Sequence, residues 1–154
     1  MKDTRANYTA NQDADILARA ETILLKRLER IGSITSPMDA SEFLRMRLAH
    51  LDREEFHIMH LDQRHQIIAI ECHAKGTISG ATVFPREVLK SVLVHQASAV
   101  ILAHGHPSGN PEPSHADIAI TKTLRDALEL IDVRILDHIV VGRTCVSLAE
   151  RGLI

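Results

Sequence analysis

The spacing of apolar residues divides the first half of the chain into helices and a hairpin. Between residues 13 and 31, apolar side chains recur every three or four positions, which is typical of an amphipathic helix. After the turn at Ser36-Pro37, a second helix is predicted to begin near Asp39. Residues 54–74 hold two strand-like segments around the turn sequence DQRH, and the first of them alternates between its two faces. They predict a β-hairpin.

The second half of the chain predicts the remaining strands and helices. A short third strand around Ala81–Phe84 precedes a helix that begins at Pro85, a residue suited to the first helical turn. The apolar run SAVILAH, which ends at His104, is typical of a strand buried on both faces. A helix is predicted from about His115 to Leu130, and two final strands are joined at Gly142-Arg143. The elements together predict an α/β domain in which helices cover a mixed β-sheet.

Length and composition favour one main domain. We expect residues 1–33 to form an N-terminal arm and helix, with residues 1–12 loosely packed, and residues 34–154 to form the domain. The chain has no signal-peptide pattern and no apolar run long enough to span a membrane, so we expect a cytoplasmic protein. Cys72 and Cys145 are expected to be reduced residues of the core or strands.

The charge balance bears on possible partners. The formal net charge is −2 with neutral histidines, so the chain lacks the strong positive field that attracts nucleic acids. We therefore expect no strong binding of nucleic acid.

The segment HGHPSGNPEPSHAD, residues 104–117, carries the most specific chemistry. Residues i and i+2 of an extended strand point to the same side, so His104 and His106 are predicted to face one point. Asp117 lies in the first turn of the following helix, in phase with Ile120 on its apolar face. Two imidazoles and one carboxylate are a ligand set found in catalytic zinc sites, where water takes the fourth position.

Parts of this segment also have structural explanations. Ser114 followed three residues later by Asp117 fits an N-cap and its capping box. An H-x-H pair alone is a weak signal in a chain with ten histidines. The combined spacing of H-x-H, seven residues, Ser, two residues and Asp, at the junction of a buried strand and a helix, favours a functional site.

That combined spacing resembles the JAMM motif of JAB/MPN-type metallopeptidases, in which an upstream glutamate precedes H-x-H-x7-S-x2-D. Residues 50–152 also resemble the RadC family in the segments REEFHIMHLD, GTISGATVFPREVLK, AVILAHGHPSGNPEPSHADIAIT and VRILDHIVVG. Gly105 stands where the family usually has asparagine, which either loosens the site or opens it to substrate. Longer members carry an N-terminal helix-hairpin-helix region, for which too few residues precede the core here, so the chain resembles the short members.

The resemblance implies the three-layer architecture of cytidine deaminases, with a mixed sheet between helices. It implies that His104, His106 and Asp117 hold Zn²⁺, and that Ser114 hydrogen-bonds the reacting oxygen in the transition state.

The family's general base is a glutamate on the first core strand, two residues before an inward-facing apolar residue. Glu54, followed by Phe56, fits that position, and Glu55 is the alternative that would point to the opposite face. The implied activity is zinc-dependent hydrolysis of a peptide or isopeptide amide in an unidentified peptide or protein substrate. A noncatalytic interaction module in DNA repair, replication or mobile-element biology is the alternative, and the oligomeric state is left open.

Other histidines are interpreted without a metal. His138 follows Asp137, and either a buried structural role or a position beside the zinc ligands fits it. His115 is expected to be exposed. The hairpin histidines are assigned to no metal; they are His57, His60, His65 and His73.

Overall fold

The computed structural model describes residues 4–31, 34–76 and 82–154 of the chain. Four helices and five strands lie within these ranges. In chain order they are α1 Thr4–Ile31, α2 Pro37–Leu48, β1 Glu55–Leu61, β2 Ile67–Lys75, α3 Pro85–Val94, β3 Ala99–Gly105, α4 His115–Glu129, β4 Arg134–Val141 and β5 Cys145–Ser147.

The five strands form one mixed sheet in the order β2-β1-β3-β4-β5. Strand β1 pairs antiparallel with β2 and β3, β3 pairs parallel with β4, and β4 pairs antiparallel with β5. Helix α4 makes the crossover that two parallel strands require. Because β1 and β3 are antiparallel, the start of β1 lies beside the carboxyl end of β3, and Phe56 pairs with His104.

The sheet has an apolar core on each face, so the domain has three layers. Alternate residues of β1 face the two cores: Met59 packs with Phe43 of α2, whereas Ile58 packs with Val88 of α3 and Leu124 of α4. Every residue of β3 is buried, as the apolar run predicts. The α/β class, the mixed sheet and the helical covering are therefore confirmed. Among the described residues, none of the helices is both long enough and apolar enough to cross a bilayer.

One helix boundary and one short strand differ from the sequence prediction. Helix α1 begins at Thr4, whereas the apolar spacing predicts a start at residue 13. A nucleated helix extends by one hydrogen bond per residue and needs no apolar stripe to do so. The predicted strand at Ala81–Phe84 is wrong for residues 82–84, which lead into α3 with Phe84 as its N-cap; Ala81 lies outside the described residues.

One buried carboxylate ties β4 to the end of the chain. Asp137 is 5% exposed and accepts hydrogen bonds from Ser147 Oγ at 2.6 Å, from the His138 amide at 2.7 Å and from the Ala149 amide at 3.1 Å. Its removal leaves three donors without their acceptor, and a buried polar group that loses its partner is costly.

We therefore expect Asp137→Ala to lower the free energy of unfolding by about 3 kcal/mol, measured by urea denaturation. Asp126→Ala, at an exposed aspartate of α4, serves as the control and should change it by less than about 0.5 kcal/mol. Equal effects of the two substitutions would contradict this role of Asp137.

Candidate functional site

Two reciprocal hydrogen bonds cap the start of helix α4, in the segment that follows β3. Ser114 is the N-cap of α4, and its Oγ accepts a hydrogen bond from the Asp117 amide at 3.1 Å. Asp117 Oδ2 in turn accepts from the Ser114 amide at 2.7 Å. This capping box confirms the structural interpretation of the Ser-x2-Asp spacing. It also sets the position of the Asp117 carboxylate, which is 3% exposed.

Both histidines of the motif lie against this carboxylate. His104 Nδ1 is 2.7 Å from Asp117 Oδ1, and His106 Nε2 is 3.3 Å from Asp117 Oδ2. The structure thus brings together the three residues that the motif predicts as metal ligands. Both ring nitrogens of His104 are buried, and neither makes a well-aligned hydrogen bond. Metal-ligating atoms that converge without forming hydrogen bonds to one another are suited to a cation bound between them. Two imidazoles and one carboxylate are a ligand set that suits Zn²⁺.

A backbone carbonyl orients His106. Its Nδ1 lies 2.9 Å from the carbonyl oxygen of Asn110, so this nitrogen carries the proton and donates it. In the neutral ring the lone pair is then on Nε2, which faces Asp117, as a metal ligand requires. No side-chain pattern in the sequence identifies a backbone carbonyl with this role.

Glu54 and Glu55 lie on opposite faces of the sheet. Glu54 Oε2 is 3.4 Å from His104 Nε2, and a donor atom from each of Glu54, His104 and His106 lies within 4.8 Å of the other two. Glu55 Oε2 instead contacts His57 Nε2 at 2.8 Å. The alternation predicted for β1 therefore holds, and Glu54 is the glutamate beside the motif.

The electrostatics of the cluster favour a charged aspartate. Burial opposes ionisation of Asp117, but its contacts with His104, His106 and the Ser114 amide outweigh burial and hold its pKa well below the usual range. The Asp117 carboxylate likewise raises the pKa of His106, against the effect of burial. The carboxylate is thus ionised at neutral pH and available to a cation.

A second layer of polar groups lies behind the two imidazoles. Thr121 Oγ1 donates to the Asp117 carbonyl oxygen at 2.6 Å, so it accepts from His138 Nδ1, which is also 2.6 Å away. His138 is fully buried, and burial together with neighbouring His104 lowers its pKa to about 3. It is therefore a neutral imidazole that stacks near His104, with ring centroids 6.4 Å apart. Thr121 is not identified from the sequence, although its place four residues after Asp117 puts both on one helix face.

The cluster opens into a cleft of about 540 Å³, within the size range of small-molecule sites. Ser114 is exposed at its rim, and its hydroxyl hydrogen is free to donate, because Oγ is the acceptor in the cap. Further lining residues come from β1 and the residue before it, the segment before α3, β3 and the loop after it, and α4: Glu54, Phe56, Thr82, Val83, His104, His106, Ser108, Ala116, Asp117 and Ile120. His115 is exposed, as predicted.

A side chain at position 105 would point away from this cleft. A Cβ atom at Gly105 would lie 3.5 Å from Leu48 Cβ and 3.5 Å from its carbonyl oxygen, on the α2 side of the sheet. The absent side chain therefore does not open the site to substrate. Gly142, by contrast, lies against the loop that carries Asn110, where a Cβ would be 2.5 Å from the carbonyl oxygen of Gly109.

A mixed sheet between helices, with two histidines and an aspartate where a strand meets a helix, defines a JAB-type domain. The family model described as "RadC-like JAB domain" matches residues 34–153. The chain therefore belongs to the RadC family.

Relatives align with this chain over most of its length. A UPF0758 protein of Vibrio cholerae is 47% identical over 151 residues, which are 96% of each protein. A UPF0758 protein of Thioalkalivibrio sulfidiphilus is 51% identical over 139 residues, which are 90% of this chain and 62% of that relative. One of Xanthomonas oryzae is 49% identical over 140 residues, again 62% of its length. The chain thus spans less than two thirds of the longer relatives.

The two glycines around the site should respond differently to alanine. Gly105→Ala makes only ordinary contacts and restricts the unfolded chain, so we expect the free energy of unfolding to rise by about 0.4–1 kcal/mol. Gly142→Ala forces the backbone of Gly109 to move, and we expect a loss of about 1–3 kcal/mol. Urea denaturation of the two variants measures both values. If Gly142→Ala leaves the free energy of unfolding unchanged, the Gly109 backbone does not pack tightly against position 142.

Proposed function

We propose that this protein is a zinc-dependent, JAMM-type metallopeptidase-like hydrolase that cleaves a peptide or isopeptide amide. The observation that carries the proposal is the position of the His104 ring, between the carboxylates of Glu54 and Asp117 at 3.4 and 2.7 Å, with no well-aligned hydrogen bond to either. Membership of a JAB-domain family supports the same chemistry.

His104, His106 and Asp117 are the proposed zinc ligands. When bound at such a site, zinc polarises a carbonyl group and makes a water molecule acidic near neutral pH. The chain's own groups prepare this site in three ways. The Asn110 carbonyl sets the His106 tautomer, the capping box holds Asp117, and burial keeps competing water from the His104 nitrogens.

Glu54 is the proposed general base and acid. Its carboxylate takes a proton from the attacking water as the water oxygen bonds to the carbonyl carbon, and it delivers that proton to the amine nitrogen as the C–N bond breaks. Its side chain is 19% exposed at the edge of the cleft, so both water and substrate reach it. Glu55 is on the opposite face and does not take this role.

Ser114 is the proposed donor to the oxygen that gains negative charge. Its hydroxyl lines the cleft, and the hydrogen bond that Oγ accepts from the Asp117 amide restricts the directions in which its hydrogen points. A donor held in advance of the reaction stabilises developing charge without reorganisation. One serine thus serves both the helix cap and the reaction.

Glu54→Gln should lower kcat about 10²–10⁴-fold, because glutamine cannot carry the proton. Turnover on a panel of peptide and isopeptide amides measures the effect, and zinc content by metal analysis should be unchanged. Glu55→Gln is the matched control and should retain activity. Purified protein that holds no zinc, and that shows no change on His104→Ala, would refute the proposal.

Two substitutions of Ser114 separate its roles. Ser114→Gly keeps most of the N-cap preference and should cost only a few tenths of a kcal/mol, whereas Ser114→Ala should cost about 1 kcal/mol. Both remove the hydroxyl, so both should lower kcat by about 10²–10³-fold. If activity instead follows stability across the two variants, the hydroxyl has only its capping role.

If the protein is instead a noncatalytic interaction module, the same experiments give different results. In that case no panel substrate is cleaved, and tight DNA or protein binding is unaffected by Glu54→Gln. DNA mobility-shift assays at several salt concentrations distinguish this outcome.

A further inference from the structure

A second cluster of histidines lies at the other end of β1 from Glu54. His60 is on β1, Glu71 and His73 are on β2, and His95 is the C-cap of α3. The six residues from Glu54 to His60 correspond to about 20 Å along an extended strand. The alternation of side chains along each strand does not by itself show that these residues lie close together. They meet because the hairpin register places Glu71 opposite Ile58, on the face that also carries His60.

Three imidazoles of this cluster converge on one carboxylate. Glu71 Oε2 is 3.4 Å from Nε2 of His60 and 3.4 Å from Nε2 of His73, and Glu71 Oε1 is 3.0 Å from Nε2 of His95. A donor atom from each of His60, Glu71 and His73 lies within 4.8 Å of the other two. Around a tetrahedral zinc ion with bonds of about 2.0–2.1 Å, neighbouring donors are about 3.3 Å apart. The distances of 3.4, 3.4 and 3.0 Å from the Glu71 oxygens to the three imidazoles are therefore close to the donor spacing of a metal site.

Two buried nitrogens of this cluster have no hydrogen-bond partner. His60 is fully buried, and the side chain of His73 is 9% exposed. Nδ1 of His60 and Nε2 of His73 have no hydrogen-bond partner, although buried polar atoms usually have one. Nε2 of His60, which faces Glu71, lies 3.1 Å from Ser91 Oγ. A cation bound beside Glu71 would give Nε2 of His73 the partner that it lacks.

The protonation states are those that a metal requires. Burial lowers the pKa of His60 to about 4 and also lowers the pKa of His73. Hydrogen bonds from Ser91 and His95 lower the pKa of Glu71 to about 2. At neutral pH His60 and His73 are therefore neutral imidazoles, and Glu71 is an ionised carboxylate. Across the described ranges, no lysine or arginine lies within the 4.0 Å of Glu71 that defines an ion pair.

A neighbouring cluster on the opposite face lacks these properties. Glu55, His57 and Cys72 also have donor atoms within 4.8 Å of one another. However, Arg47 Nε is 3.4 Å from His57 Nδ1, and Lys75 Nζ is 3.9 Å from Glu55 Oε1. Burial and the nearby Glu55 also raise the pKa of the Cys72 thiol, so it resists becoming the thiolate that binds metals. Two cations already oppose a bound metal ion there.

We infer that His60, Glu71 and His73, with His95 as a fourth ligand, form a second site for a divalent transition-metal ion. Imidazole and carboxylate ligands of this number suit Zn²⁺, Co²⁺, Ni²⁺ or Cu²⁺, whereas Mg²⁺ and Ca²⁺ prefer sites built from oxygen. A bound ion would link β1 and β2 to the end of α3. This inference is independent of the proposed hydrolase activity, because it shares no ligand with the His104 site.

The test uses the full chain, freed of metal with a chelator and titrated with Co²⁺, whose visible absorption reports its coordination. The double variant His104→Ala/His106→Ala removes the first site, so any remaining uptake reports the second. We expect the unaltered chain to bind two equivalents and the double variant one, with a Kd in the micromolar range or below. Excess Mg²⁺ should not displace the bound Co²⁺.

Adding His73→Ala to the double variant should weaken Co²⁺ binding by more than about 100-fold, since loss of an outer hydrogen-bond partner alone costs 10–100-fold. Glu71→Gln, which keeps the side-chain shape, is the second probe, and circular dichroism checks folding of each variant. His50→Ala, at an exposed histidine outside both clusters, is the matched control and should change nothing.

The possible results separate the two sites. No Co²⁺ uptake by the double variant, or uptake that His73→Ala and Glu71→Gln leave unchanged, would overturn the inference. One equivalent in the unaltered chain, lost on His73→Ala but kept in the double variant, would support the second site and contradict the zinc site of the proposed function.

Discussion

The arrangement of the candidate site depends on one buried carboxylate at the start of a helix. Asp117 accepts the Ser114 amide hydrogen and also lies against the imidazoles of His104 and His106. The amino end of a helix favours negative charge, so α4 stabilises the ionised form that a cation needs. The same hydrogen bond that begins the helix thus aims the carboxylate at the end of β3.

Three separate parts of the fold hold this centre. The core between the sheet and α3 and α4 sets the distance from β3 to α4, and the antiparallel pairing of β1 with β3 brings Glu54 to the same edge. The loop after His106 is fastened to the β4–β5 turn, where the Arg143 amide donates to the Gly109 carbonyl oxygen at 2.8 Å. The apolar layers and the turn therefore provide rigidity for polar groups that make few bonds to one another.

The two histidine clusters lie on one face of the sheet, at opposite ends of β1. Burying several imidazoles without partners opposes folding, because each loses its hydration. At the β3 end, the Asn110 carbonyl oxygen bonds one nitrogen of His106, and the Thr121 hydroxyl bonds one nitrogen of His138. At the hairpin end, Glu71 faces three imidazoles and also accepts a hydrogen bond from Ser91. In both places one carboxylate offsets part of the cost of burying a group of imidazoles.

The sequence by itself determined the features that depend on neighbours along the chain. Apolar periodicity predicted the α/β layers, and spacings of two and three residues predicted that His104 pairs with His106 and Ser114 with Asp117. These relations follow from the backbone geometry of a single strand or helix end. Only the tertiary structure decided that Glu54 meets His104, that Gly105 faces Leu48, and that His60 meets Glu71. Such contacts depend on strand register and helix packing, which follow from the free energy of the whole core and not from any local spacing.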